Sequence, residues 1–181
     1  MQVSLDGFNS IGENDEQKWV TWDFDAIKQD VLDIANGCDT ELIGRKLAVD
    51  YIPFWNDTLN QPESMLHEVA KVKAGQKKVI FTKTLDKSVW ENTVLAKGNL
   101  SDEINKLKNQ GGKDIIVYGG SSFVAELVKE KLIDEFYLFV NPIAVGQGVA
   151  IFNKLSEWQK LKLVNSKTFK CGIILLHYER I

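Results

Sequence analysis

Three apolar runs in this sequence each end in residues that can hold an anion. Ile115-Ile116-Val117-Tyr118 stops at Gly119-Gly120 and continues at once with Ser121-Ser122-Phe123. Paired glycines let an anion come close to the backbone, and the start of a helix exposes unpaired N–H groups and a partial positive charge. The segment reads as a pyrophosphate cradle, and equally as a tight strand-to-helix turn with a serine N-cap. It is neither of the two common glycine-rich phosphate motifs, G-x-G-x-x-G or G-x-x-x-x-G-K-[ST]. Leu42-Ile43 runs into Gly44-Arg45-Lys46, whose cations could meet phosphates or simply be solvated in a loop. Phe81 is followed by Thr82-Lys83-Thr84, two hydroxyls and a cation suited to a nucleotide 2′-phosphate, or again a loop. Taken together they converge, because ligands of open α/β sheets bind at the carboxyl ends of the strands.

Other chemistry-bearing residues are scattered. Asp6, in Ser4-Leu5-Asp6-Gly7, is a carboxylate at a strand end that could serve a proton transfer or an ordinary turn. Trp19, Trp22, Phe24, Tyr51, Phe54 and Trp55 form an aromatic-rich set. Large rings are usually core, but Trp22 and Trp55 fall in loop-like stretches and could stack on a flat heteroaromatic ligand. His67 reads as a surface residue and His177 as a structural one. Neither stands beside a nucleophile signature, so no Ser-His-Asp or Cys-His arrangement is visible. Cys38 and Cys171 are far apart and lack metal-ligand spacing, so no zinc site is expected.

The elements that must position these residues alternate between strand and helix. Short strands are expected at 3–5, 40–43, 78–82, 94–96, 115–118 and 136–140. Helices are expected at 25–36, 63–74 and 101–109, the last capped by Ser101, with another after Ser122. Residues 161–168 and 172–179 read as a β-hairpin around Lys170-Cys171-Gly172. The pattern predicts an α/β fold with a central, mostly parallel sheet and an antiparallel finish.

The chain has 181 residues, net charge −3 and three prolines, with no repeat or linker-like stretch, so a single domain over 1–181 is expected. An acidic chain lacks the positive field that general nucleic-acid binding needs. No apolar run approaches a membrane span and no signal peptide is visible, consistent with a cytoplasmic protein.

The order of the pieces is informative as a set. Ser-Leu-Asp-Gly-Phe (4–8), Leu-Ile-Gly-Arg-Lys (42–46), Phe-Thr-Lys-Thr-Leu (81–85) and Val-Tyr-Gly-Gly-Ser (117–121) are followed by Leu-Ile-Asp-Glu-Phe (132–136), Asn-Pro-Ile-Ala-Val-Gly-Gln-Gly (141–148) and Ile151-Phe152. This series resembles the dihydrofolate-reductase-like superfamily, and within it the C-terminal reductase domain of riboflavin biosynthesis (RibD) and its stand-alone bacterial relatives. The resemblance implies a three-layer fold with helices on both faces of the sheet. It also implies NADPH as hydride donor to the C=N or C=O carbon of a small pterin- or pyrimidine-like heterocycle. Gly44, Arg45 and Lys46 would face the cofactor phosphates, and Thr82, Lys83 and Thr84 the adenosine ribose and its 2′-phosphate. Gly119, Gly120, Ser121 and Ser122 would cradle the pyrophosphate with Phe123 behind them, and a cis peptide would join Gly119 to Gly120. Asp6 and Trp22 would border the nicotinamide and substrate as catalytic candidates, and a homodimer is implied. A binding protein on the same scaffold, without turnover, is the alternative. The chain departs from the family at Leu47-Ala48, where a Thr-Tyr pair is common. It also has no clear counterpart of dihydrofolate reductase's buried first-helix carboxylate, which speaks against dihydrofolate as substrate.

Overall fold

A computed structural model describes residues 1–12, 15 and 17–181. Along the chain run β1 (Gln2–Ser4), α1 (Phe24–Asn36), β2 (Cys38–Gly44), α2 (Arg45–Leu59), α3 (His67–Gly75), β3 (Lys77–Phe81), β4 (Thr93–Ala96), α4 (Leu100–Lys108), β5 (Asp114–Val117), α5 (Ser121–Lys129), β6 (Glu135–Asn141), β7 (Leu161–Thr168) and β8 (Ile174–Arg180). Contacts divide it into two compact units, Ile27–Gly120 and Met1–Ala26 with Ser121–Ile181. The α/β class, the parallel pairing and the C-terminal antiparallel hairpin are as the sequence predicts. The strands, however, form two four-stranded sheets, one in each unit.

The first unit, Ile27–Gly120, holds an all-parallel sheet in the order β4-β3-β2-β5. Its central strands read as apolar runs because both faces are covered. Ile43 and Ile80 pack with Ala48 and Ile52 of α2 into a core flanked by Leu47, Tyr51, Trp90 and Leu95. Helix α2 is a correction to the sequence reading, in which Trp55 falls in a loop-like stretch. Ala48, Ile52 and Thr58 are buried on one face, the 3.6-residue period of an amphipathic helix. Pro53 does not break it. The ring and Val49, whose carbonyl it leaves without an N–H partner, are both exposed, where water can complete the bond. The expected helix over 63–74 is shorter, beginning at His67. The N-cap of α4 is Asn99, whose side chain accepts from the N–H groups of Ser101 and Asp102, and not Ser101 as its composition suggested.

The other unit holds a mixed sheet, β1-β6-β8-β7. β1 runs parallel to β6 with Ser4 opposite Asn141, while β6–β8 and β7–β8 are antiparallel. Residues 8–10 run beside 148–150, through an isolated bridge between Ser10 and Val149. Gly148 makes that approach possible, since a Cβ there would collide with the Ser10 carbonyl oxygen. No helix is long and apolar enough to cross a membrane among the described residues.

Candidate functional site

Parallel pairing decides where the anion-holding residues go. Gly44 lies opposite Phe81, Phe81 opposite Ala96, and Leu42 opposite Val117. The carboxyl ends of β2, β3 and β5 therefore lie along one edge of the sheet in the first unit. That edge gathers Gly44-Arg45-Lys46, Thr82-Lys83-Thr84 and Gly119-Gly120, so these three sequence-predicted groups do come together. β2 is central, with β3 on one side and β5 on the other. Strand order reverses at the β2/β5 pair, the kind of place where α/β sheets bind ligands.

Each group has a local reason for its shape. Gly44 is the N-cap of α2 in extended conformation, without a side-chain cap and with no acidic residue in the helix's first turn. The first N–H groups of α2 are thus left to another acceptor. Arg45 is half-buried and Lys46 exposed. Thr82 is buried at 6% exposure, and its Oγ1 accepts from the N–H groups of Thr84 and Leu85, both at 3.1 Å. That hydroxyl shapes the loop, leaving Lys83 and Thr84 exposed at its tip. Among the described residues neither Arg45, Lys46 nor Lys83 forms an ion pair. The peptide joining Gly119 to Gly120 is trans, contrary to the cis bond implied by the resemblance. The turn is made instead by Gly120, whose φ of +76° favours glycine.

The remaining candidates lie in the other unit. Asp6 is an acceptor on all sides. Val145 N–H reaches both carboxylate oxygens at 3.1 Å, Gly146 N–H donates to Oδ2 at 2.7 Å, and Ser4 Oγ donates to Oδ1 at 2.6 Å. These bonds, the one from Ser4 largest, hold its pKa down to about 2. Asp6 is therefore ionised at neutral pH and anchors the 143–146 loop. Trp22 is 57% exposed, its Nε1 donating to the Gln17 carbonyl. The segment before it is tied to the end of β6, because Asn141 Oδ1 accepts from Thr21 N–H at 2.8 Å. Ser121 opens α5, with Ser122 exposed and Phe123 half-buried on its first turn.

Sequence reasoning missed Asn9 and Asn141, both buried. Asn9 Nδ2 donates to Ser121 Oγ at 2.7 Å, and Asn141 Nδ2 to Gln2 Oε1, Val3 O and Phe139 O. It also missed a buried charge cluster in the first unit. Glu41, in the middle of β2, is fully buried and pairs with Lys73 of α3, 2% exposed, at 3.0 Å. The Tyr51 hydroxyl bonds to both. The Lys73 ammonium lies 3.3 Å from the centre of the Tyr118 ring, 4.9 Å from that of Tyr51 and 5.0 Å from that of Trp55. Burial pulls Lys73 down to about 8 against the opposing pull of Glu41, and pushes both tyrosines up. The signal for this cluster was a glutamate inside the apolar run Thr40–Ile43, a placement charged residues avoid unless paired.

The carboxyl edge of this parallel sheet thus collects glycines, hydroxyls and cations that form no ion pair among the described residues. The chain belongs to the RibD C-terminal domain family, whose model matches residues 1–175. The uncharacterised protein YyaP of Bacillus subtilis (strain 168) is 34% identical over 181 residues, covering 98% of this chain and 91% of that protein. The fold is shared with a Shewanella sp. PV-4 protein described as a candidate riboflavin biosynthesis protein. That likeness has a TM-score of 0.73 and 20% identity, and covers 100% of this chain and 96% of that one. It is also shared with the Thermotoga maritima diaminohydroxyphosphoribosylaminopyrimidine deaminase/5-amino-6-(5-phosphoribosylamino)uracil reductase, with a TM-score of 0.69 and 19% identity. The match covers 99% of this chain and 55% of that larger protein.

Proposed function

We propose that this protein is an NADPH-dependent reductase acting on a small pyrimidine- or pterin-like heterocycle. The observation that carries the reading is the edge of the parallel sheet. Three strand ends in register offer uncapped helix N–H groups, two glycines, a hydroxyl-shaped loop and three cations that form no ion pair among the described residues. That donor set fits the phosphates of a dinucleotide. Gly44, Arg45 and Lys46 would hold the diphosphate with Gly119 and Gly120, and Lys83 and Thr84 would meet the 2′-phosphate. When bound, NADPH supplies a hydride for an electrophilic C=N or C=O carbon. The protein's part is to bind and orient the two molecules. Asp6 fixes a loop and stays ionised, so its contribution is positioning and charge, not the release of a proton. Trp22 offers an exposed indole on which a flat ring can stack. We take the whole chain as one functional domain that works as a homodimer.

The test is a titration with NADPH, following energy transfer from the tryptophans to the nicotinamide, then NADPH oxidation against a panel of pyrimidinones and pterins. Saturable binding at micromolar cofactor with oxidation by one ring class is expected. Absence of saturable binding would defeat the reading. Binding without oxidation would support the alternative, a ligand-binding protein on the same fold. That alternative draws on one observation: the Asp6 carboxylate accepts from Ser4 Oγ and from the Val145 and Gly146 N–H groups, bonds that favour its ionised form and leave it no proton to give.

A further inference from the structure

The Gly119–Gly120 turn has no side chains with which to hold itself. Beside it on α2 is Leu47, whose Cδ2 would stand 3.4 Å from a Cβ on Gly119. Its placement on the strand side therefore depends on Tyr118, the residue joining it to β5. Tyr118 is in turn held by its ring face against the Lys73 ammonium at 3.3 Å. Lys73 comes from α3 and is fixed by Glu41, three residues before Gly44 in β2, and by the Tyr51 hydroxyl of α2. One buried ammonium thus links α2 and α3 with β2 and β5, two of the three strands whose ends carry the candidate phosphate-binding residues. We infer that Lys73 is a positioning residue: through Tyr118 it sets the Gly119–Gly120 turn for the phosphates of the bound dinucleotide. This rests on the dinucleotide reading above.

Stability alone does not account for the arrangement. A buried ion pair is commonly no better than well-packed apolar side chains of the same volume. Here Glu41 Oε2 and the Tyr118 hydroxyl are both buried without a hydrogen-bond partner among the described residues. The ammonium contributes what an apolar residue could not, an attraction directed at the face of a particular ring. The groups facing it are Glu41 and Cys38 of β2, Tyr51 and Trp55 of α2, Lys78 of β3 and Tyr118.

Two measurements on the full chain test this. The first is hydrogen exchange without ligand, read on a peptide spanning 116–121. A Lys73→Met/Glu41→Gln double variant removes both charges of the pair together, so neither is left without the other, and the Lys78 ammonium keeps its bonds to the Lys73 and Gln76 carbonyls. Exchange at the turn should be roughly fivefold faster than in the parent, the scale of a lost cation–π contact. Tyr118→Leu should give a similar change, with no further gain when the three substitutions are combined. Unchanged exchange in the double variant overturns the proposal. The second is NADPH affinity against pH. The parent should bind about fivefold tighter than the double variant at pH 7 and converge on it as pH passes about 8, where Lys73 gives up its proton. Equal affinities across the range overturn the proposal even if the parent binds well. Should the parent itself fail to bind NADPH, the dinucleotide reading falls, and the exchange measurement still decides whether Lys73 holds the turn.

Discussion

Asp6 illustrates how hydrogen bonding can decide the role of a single carboxylate. A general acid needs a pKa near the working pH and a proton to give. Asp6 has neither, because two backbone N–H groups and the Ser4 hydroxyl stabilise its charged form and lower its pKa to about 2. Asp6→Asn should therefore cost less than about 100-fold in kcat, the lower bound usual for loss of a general acid. A larger loss would return Asp6 to the proton-transfer step. The pH dependence has a definite sign. The folded value lies below the ordinary 3.8, so the anchor's contribution is fully present above that pH and is lost as pH falls through about 2. Thermal melts should show parent and Asp6→Asn separated near pH 6 and converging towards pH 2. From the sequence, the carboxylate beside glycine was visible as a candidate. Ser4 is a near neighbour in the sequence, but the two backbone partners, Val145 and Gly146, lie more than a hundred residues away and leave no mark near Asp6.

At the scale of elements, local signals explain both what was legible and what was not. β2, β3 and β5 were recognisable from the short apolar runs Leu42-Ile43, Val79-Ile80-Phe81 and Ile115-Ile116-Val117, the kind of pattern parallel strands show. Their glycine and hydroxyl endings were visible for the same reason. α2 was hidden because Pro53 and a run of aromatics mimic a loop, although Ala48, Ile52 and Trp55 keep a helical period. The edge site needed only strand ends, so it survived that omission. The Lys73 cluster did not, because it depends on α2 and α3 meeting over β2. The start of α4 offers a sharper test. Asn99 and Ser101 are both good caps by type, but only the Asn99 side chain accepts from backbone N–H groups, at 2.9 and 3.3 Å. Asn99→Ala should cost about 1 kcal/mol in urea unfolding, and Ser101→Ala only a few tenths. The reverse order would place the helix start two residues later.

For the molecule as a whole, the buried ion pair sets stability against function. Lys73 has a folded pKa of about 8 and an ordinary value of 10.5. Between those values the unfolded chain binds the proton and the folded one does not, so stability rises with pH as the burial cost of the charge is relieved. Lys78, also lowered by burial, acts in the same direction. Glu41 opposes that lowering, so Lys78→Met is made in both the parent and the Lys73→Met/Glu41→Gln variant to keep the comparison on Lys73. The parent's stability relative to that variant should therefore increase from about pH 8 towards 10, read from denaturant midpoints at each pH. Over the same interval its NADPH affinity should fall towards the variant's. Lys73→Met alone should be worse than either, by roughly 3–5 kcal/mol, because it strands the Glu41 carboxylate without a partner. A charge serving only the fold would make stability and ligand affinity change together with pH. A charge that positions the glycine turn makes them move in opposite directions, and that divergence distinguishes the two roles in one titration.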